Sequence, residues 1–216
     1  RDRENLYFAF RCMSKDPAKT IAEKSGRDAY RAFKDDVVEI MLDTEHTQND
    51  FYHFCVNSIG AIWDAETHRL PATERMISSP QWNSTAEARG WKEKDAWCVV
   101  VRIPLKDLGE KAQRAVREGG EWGLQVGREN WSGNEMSTWS RAYAFTEPKD
   151  FGTASFAGVA VREEARPWKQ ESDSSLAVTT PPARKTYEFT RLFVFGPEAD
   201  AKGEPVPHLS LAYPEV

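Results

Sequence analysis

The sequence predicts an all-β chain: an antiparallel, jelly-roll-type β-sandwich with long loops and an extended C-terminal arm. Three observations lead there. Short apolar runs alternate residue by residue with polar side chains, the period of a strand that lays one face on a core. Irregular loops separate these runs, without a repeating strand–helix alternation or an internal repeat. The apolar fraction is 40%, with 12% aromatic, enough for a sizeable core in 216 residues.

Taken in order, the first strand runs from Leu6 to Cys12, with Leu6, Phe8, Phe10 and Cys12 on one face and Tyr7, Ala9 and Arg11 on the other. A polar stretch with Asp16-Pro17 and Ser25-Gly26 follows. The next strand, Val37 to Asp43, turns Val38, Ile40 and Leu42 to the core and Glu39 and Met41 away from it. A polar loop from Thr44 to Asp50 leads into Phe51 to Ile59, where Phe54 and Val56 alternate with His53, Cys55 and Asn57. Residues 64–95 read as a long excursion carrying Trp82 and Trp91, interrupted by Pro71 and Pro80. Trp97 to Ile103 is the strongest strand pattern and stops at Pro104. A turn at Leu105 to Leu108 precedes a short helix, Glu110 to Glu118, ended by Gly119-Gly120. Trp122 to Asn130 is a further strand, a loop rich in Ser, Asn and aromatics reaches Phe145, and Phe151 to Val161 closes the set.

Residues 1–161 are thus expected to form the sandwich, and 162–216 a linker and C-terminal extension with one strand, Tyr187 to Phe195. The chain opens on Arg1, within a few residues of its first strand, and is read as a segment of a longer protein.

Charged residues make up 29%, yet the formal net charge is only -5, which argues against a nucleic-acid partner. The longest apolar stretches are far too short to span a bilayer. Three cysteines, Cys12, Cys55 and Cys98, lack the spacing of a zinc site and read as small buried hydrophobes, with one disulfide left open.

If the apolar faces form the core, the opposite faces carry Tyr7, Arg11, Glu39, His53, Asn57, Arg102, Gln125 and Glu129. Carboxylate, amide and guanidinium groups of this kind are what sugar hydroxyls need. The same alternation also describes an ordinary solvated sheet face. Eight tryptophans are available, at least half of them expected in packing roles, with Trp63, Trp97 and Trp122 assigned to the core.

Several segments, taken together, resemble a known family. They are Asn5-Leu6-Tyr7-Phe8-Ala9-Phe10, Asp35-Asp36-Val37-Val38-Glu39-Ile40-Met41-Leu42-Asp43, Tyr52-His53-Phe54-Cys55-Val56-Asn57, Trp97 to Leu108 with Ile103-Pro104-Leu105-Lys106-Asp107-Leu108-Gly109, Trp122-Gly123-Leu124-Gln125-Val126-Gly127-Arg128, and Pro148-Lys149-Asp150-Phe151-Gly152. Their order over residues 5–161 is similar to the family 9-like carbohydrate-binding modules, DOMON-like β-sandwiches of secreted bacterial proteins. The resemblance implies a non-catalytic module that holds a polysaccharide or oligosaccharide, secreted or at the cell surface, as one domain of a larger glycan-processing protein. It points to Glu39 independently of the strand alternation.

The family's sugar-clamping tryptophans fall at Phe33 and Phe145 here, and a family arginine falls at Cys55. Trp139 lies in the loop where binding aromatics sit. The strand that usually precedes the Leu-Tyr strand is absent, so that either the domain has been cut or Tyr187 to Phe195 fills the gap. No cofactor and no metal ligand set is assigned. A structural calcium ion is compatible with the family, with Asp35, Asp36, Asp43, Glu45 and Asp50 as oxygen donors.

Two other readings stay open. A polysaccharide-cleaving enzyme would use Glu39 and Glu129, or Asp36 and Glu39, as a glycosidase pair, or Tyr52, His53 and Arg102 as a lyase set. A structural domain of a cell-surface protein would use none of them.

Overall fold

The structure is a computed structural model that describes residues 1, 3–23, 25–28, 34–140 and 145–157, and the backbone of three short strands beyond them. Two sheets face each other across one core. In the first, β1 (Asn5–Met13) and β7 (Ala96–Pro104) pair antiparallel, from Asn5 opposite Pro104 to Met13 opposite Ala96. β6 (Glu87–Lys92) lies on the far edge of β7, and β11 (Phe193–Phe195) runs parallel to β1 on the other side. The second sheet is ordered β10 (Gly152–Ser155), β8 (Glu121–Asn130), β2 (Val37–Asp43), β3 (Asp50–Asn57), β4 (Ile62–Arg69), β5 (Met76–Ser79). β9 (Glu135–Thr138) shares the outer edge of β8 with β10. β12 (Pro197–Ala199) and β13 (Pro205–Pro207) form a separate two-stranded ladder.

The core is built by the alternation that the sequence displays. Phe10, Cys12, Trp97, Val99, Val101 and Ile103 come from the first sheet. They meet Val38, Ile40, Leu42, Phe54, Val56, Trp122, Leu124 and Val126 from the second. Each such large side chain taken out of water contributes about 1.5–3 kcal/mol, against which the chain's conformational entropy must be set. The helix α1 (Gly109–Glu118) adds Ala112 and Val116 to this cluster. It stops at Gly119, whose φ of 79° is left-handed and lets its amide return to the Ala115 carbonyl.

The antiparallel β-sandwich is therefore the observed fold, with β1–β11 as a parallel exception. Half of the expected excursion over 64–95 is instead strand, carrying most of β4 and all of β5 and β6. Its alternation is masked because Asp64 and Glu66 occupy core-side positions, opposite Phe54 and Tyr52. Asp64 tolerates burial by pairing with Arg27 and accepting from the Ser84 hydroxyl and amide. Pro71 and Pro80 fall between strands, where a missing amide costs little. β9 was expected as loop, since its core-side residue is Ser137 and Met136 faces out, 63% exposed. Of the expected Tyr187 to Phe195 strand, 193–195 is strand and borders β1; 187–192 lie outside the described residues, as do 158–161 of the closing segment. The three cysteines are buried and unpaired, so the disulfide left open by the sequence is not formed.

Candidate functional site

The face of the second sheet turned away from the core is not a solvated face. All seven residues of β2 are buried, on both of its sides. The ladders place Gly127, Glu39, Cys55 and Trp63 in one row across β8, β2, β3 and β4. Gln125, Met41, His53 and Ala65 form the row on one side of it, and Glu129, Val37 and Asn57 the row on the other. Of the eight residues expected on the polar faces, five, Glu39, His53, Asn57, Gln125 and Glu129, share this face, while Tyr7, Arg11 and Arg102 lie in the other sheet.

These five solve the problem of burial in two ways. Gln125 and Asn57 are absorbed by neighbouring loops. The Gln125 amide donates to the Ser140 hydroxyl and accepts from the amides of Ser140 and Val126 at 3.1 Å. Asn57 accepts from the amides of Ile59 at 3.2 Å and Ala61 at 2.9 Å, and donates to Asp35 at 2.9 Å. Both side chains close turns, so their hydrogen-bonding capacity is spent on the fold.

Glu39 instead bonds His53 and interacts with Glu129. Glu39 Oε2 lies 2.6 Å from His53 Nε2, with both side chains buried. Glu129, diagonal to Glu39 on β8, is in hydrogen-bond contact with it. Burial and the charge of Glu39, reinforced by that bond, push the Glu129 carboxyl up to about 7. Two carboxyl groups in contact hold a proton between them more tightly than either would alone. The Trp131 indole opposes the shift by donating to Glu129 Oε2 at 3.2 Å. Cys55, opposite Glu39 on β3, is fully buried, and burial followed by the surrounding carboxylates of Glu39, Glu129 and Asp35 raises its thiol well above the ordinary range. It is a neutral thiol, unsuited to nucleophilic work.

Aromatic rings frame this array. Phe145 lies flat enough on Gly127 that a Cβ there would come within 2.7 Å of its Cε2 atom. Only a glycine opposite Glu39 admits the ring. Trp63, three strands across from Gly127 and hence about 14 Å away along the row, meets His53 edge-on with centroids 5.4 Å apart. Glu129, Trp63 and Phe145 are half-buried and form the accessible margin, whereas Glu39 is 2% exposed beneath it.

The remaining expected residues lie elsewhere. Arg102 is on β7, in the other sheet, where it pairs with Glu87 at 2.8 Å, so it does not join Glu39. Trp139 extends the β8–β9 pairing through its amide and packs its ring against the main core and Gly152, on the far side of the sheet from Glu39. Phe33 lies outside the described residues. The lyase set does not converge either: Tyr52 packs against Trp82 at the core, with the rings tilted by 39° and centroids 4.8 Å apart.

The acidic residues considered for calcium divide between the two ends of β2, separated by about 20 Å of strand. Asp35 and Asp36 accept from the amides of Glu23, Ile21 and Ser132. Asp43 accepts from the amides of Thr47 and Gln48, and Asp50 bonds His68 at 3.0 Å. They act as loop anchors, and among the described residues no group of three or more acidic, histidine or cysteine side chains is arranged to hold a metal ion.

Two participants escaped sequence reading. Trp63 was expected in the core; the clue to its position was its place in the ladder opposite Cys55, which becomes readable once β4 is recognised as a strand. Trp131 stood in a loop with no periodicity to place it.

No family model matches the chain, and no curated protein matches it in sequence. Among solved structures, it is similar to a protein from Bacteroides uniformis ATCC 8492 whose name marks carbohydrate binding as suspected, at 17% identity and a TM-score of 0.47, over 63% of this chain and 67% of that one. It is also similar to a family 9 carbohydrate-binding module from Caldicellulosiruptor kristjanssonii. In complex with cellotriose that module gives 15% identity and a TM-score of 0.42, over 76% of this chain and 73% of the other. In complex with glucose it gives 15% identity and a TM-score of 0.41, over 79% and 76%. These are distant similarities.

Proposed function

We propose that the chain is a non-catalytic carbohydrate-binding module that holds a polysaccharide against the Glu39–Glu129–His53 face. The observation that carries this reading is the contact between two carboxyl groups on a closed sheet face. Gln125 and Asn57 show how this fold buries polar groups when only structure is at stake: each is consumed by loop amides. Glu39 and Glu129 do the opposite, facing each other at an electrostatic cost that folding does not require. Paired carboxyls are strong acceptors for sugar hydroxyls. Phe145 and Trp63 supply apolar ring faces on which the C–H side of a pyranose packs. Secretion, a bacterial source and membership of a larger glycan-processing protein belong to the same reading.

Affinity electrophoresis through soluble β-glucan, xylan and mannan tests the proposal. The unaltered chain is expected to be retarded by at least one of them without releasing reducing ends. Glu39→Gln and Glu129→Ala should abolish the retardation, while Arg102→Ala, on the other sheet, should leave it intact. Free migration of the unaltered chain in every gel, or equal retardation of the Glu39 and Glu129 variants, would sink the reading.

A further inference from the structure

Beside Arg102, which faces out of the first sheet, lies a cleft of about 410 Å3. It opens where the start of β1, the end of β7 and the turn Leu105–Leu108 meet. Hydrogen bonds fix its walls. The Leu105 amide donates to the Glu4 carbonyl at 2.7 Å. The Thr85 amide and hydroxyl both donate to Asp107 Oδ2, at 2.6 and 2.7 Å, and so tie the approach to β6 to the turn. Pro104 and Leu105, both buried, give the cleft an apolar base. Three cations, Arg3, Arg102 and Lys106, line it against one acid, Glu4, in a chain whose net charge is -5. Arg102 is held in place: it stands opposite Tyr7 and Glu87 in the ladders, and its Nη2 lies 2.8 Å from Glu87 Oε1. That carboxylate answers only part of a five-donor fork, and Arg102 Nε is buried with no hydrogen-bond partner among the described residues. Lys106 is exposed and makes no ion pair among the described residues.

We infer that this cleft is a binding site, separate from the Glu39 face, for a small organic molecule that carries an oxyanion group, a carboxylate or a phosphate. Its volume falls within the roughly 300–1,000 Å3 typical of small-molecule pockets, well beyond what a bare ion needs. The guanidinium offers planar, paired donors that match two oxygens of such a group, and Lys106 adds a point charge. Glu87 fixes the fork from one side, so little side-chain freedom is lost when an anion docks on its remaining donors. Pro104 and Leu105 give the carbon skeleton an apolar surface to rest on. A solvated run of surface charge would have neither the bonded walls nor this base. No residue of the Glu39 face takes part, so the site stands whether or not that face holds sugar.

Isothermal titration of the full chain with citrate, glucose 6-phosphate and inorganic phosphate tests this. Citrate or glucose 6-phosphate is expected to bind saturably, one molecule per chain, and about tenfold or more tighter than inorganic phosphate. Arg102→Gln should weaken that binding about tenfold or more, the scale of a lost charge-assisted hydrogen bond. Lys106→Ala changes an exposed side chain, leaves the sheet untouched and should weaken it several-fold. Binding of citrate alone identifies a carboxylate ligand, and of glucose 6-phosphate alone a phosphate ester. Failure of all three anions to bind overturns the inference, as does binding that both variants retain. Inorganic phosphate binding as tightly as either organic anion also overturns it, because the cleft would then take a bare ion. Polysaccharide retardation reports on the Glu39 face alone, so either site can fail without the other.

Discussion

Replacing Glu129 by glutamine should stabilise the protein at alkaline pH and do nothing at acidic pH. In the folded chain the carboxyl titrates at about 7, raised from an ordinary value of 4.5 by burial and by Glu39. A raised acid means that the folded state holds its proton where the unfolded state has released it. Folding stability associated with this group is therefore complete below about 4.5, declines as pH rises towards 7, and is fully lost above it. Taken at face value, a shift of that size is worth about 3 kcal/mol at 1.36 kcal/mol per pH unit. Glu129 is partly solvent-accessible, and screening reduces the figure to about 1–2 kcal/mol. A neutral amide keeps a donor for Glu39 but never ionises. For a chain of this length, that difference corresponds to a melting point raised by about 3–6 °C. Calorimetry at pH 5 and pH 8.5 reads it directly. Glu129→Gln should lie close to the unaltered protein at pH 5, where only a minor part of the difference has developed, and melt several degrees higher at pH 8.5. An equal shift at both values, or a lower melting point at pH 8.5, would refute the shared-proton account of the carboxyl pair.

Two further perturbations address the frame around that pair. Gly127→Ala introduces a Cβ 2.7 Å from the Phe145 ring, so the ring must lift from the sheet; a cost of about 1–3 kcal/mol in denaturant unfolding is expected, together with weaker retardation in polysaccharide gels. Unchanged retardation would show that Phe145 takes no part in binding. Asn57→Ala strips an acceptor from the Ile59 and Ala61 amides and a donor from Asp35, and should destabilise by about 1–3 kcal/mol. A loss below about 0.5 kcal/mol, the level of an ordinary surface change, would contradict its assignment as the anchor of the β3–β4 turn.

The fold was legible because its central strands obey a period of two. Val38, Ile40 and Leu42 in β2, Phe54 and Val56 in β3, and Leu124 and Val126 in β8 declare one core face without ambiguity. β4 was not legible, because Asp64 sits in the core with partners, Arg27 and Ser84, that are remote in sequence. Alternation reports hydrophobicity, not satisfied burial, and a paired acid looks the same in a sequence as a solvated one.

The same limit governs the site. Strand parity correctly placed Glu39, His53, Asn57, Gln125 and Glu129 on one face, but it carries no information about which sheet a strand joins, so Arg102 was grouped with them across the sandwich. Nor does parity distinguish a polar residue turned to solvent from one covered by a loop. Only the ladder register and the loop bonds separate Gln125, whose amide is fully engaged by Ser140 and Val126, from Glu129, whose carboxyl meets another carboxyl. That difference is what turns a polar face into a candidate site. Amides buried for structure come with their complement attached, whereas two acids side by side do not complement each other, and one of them, Glu129, reaches the half-buried margin of the face.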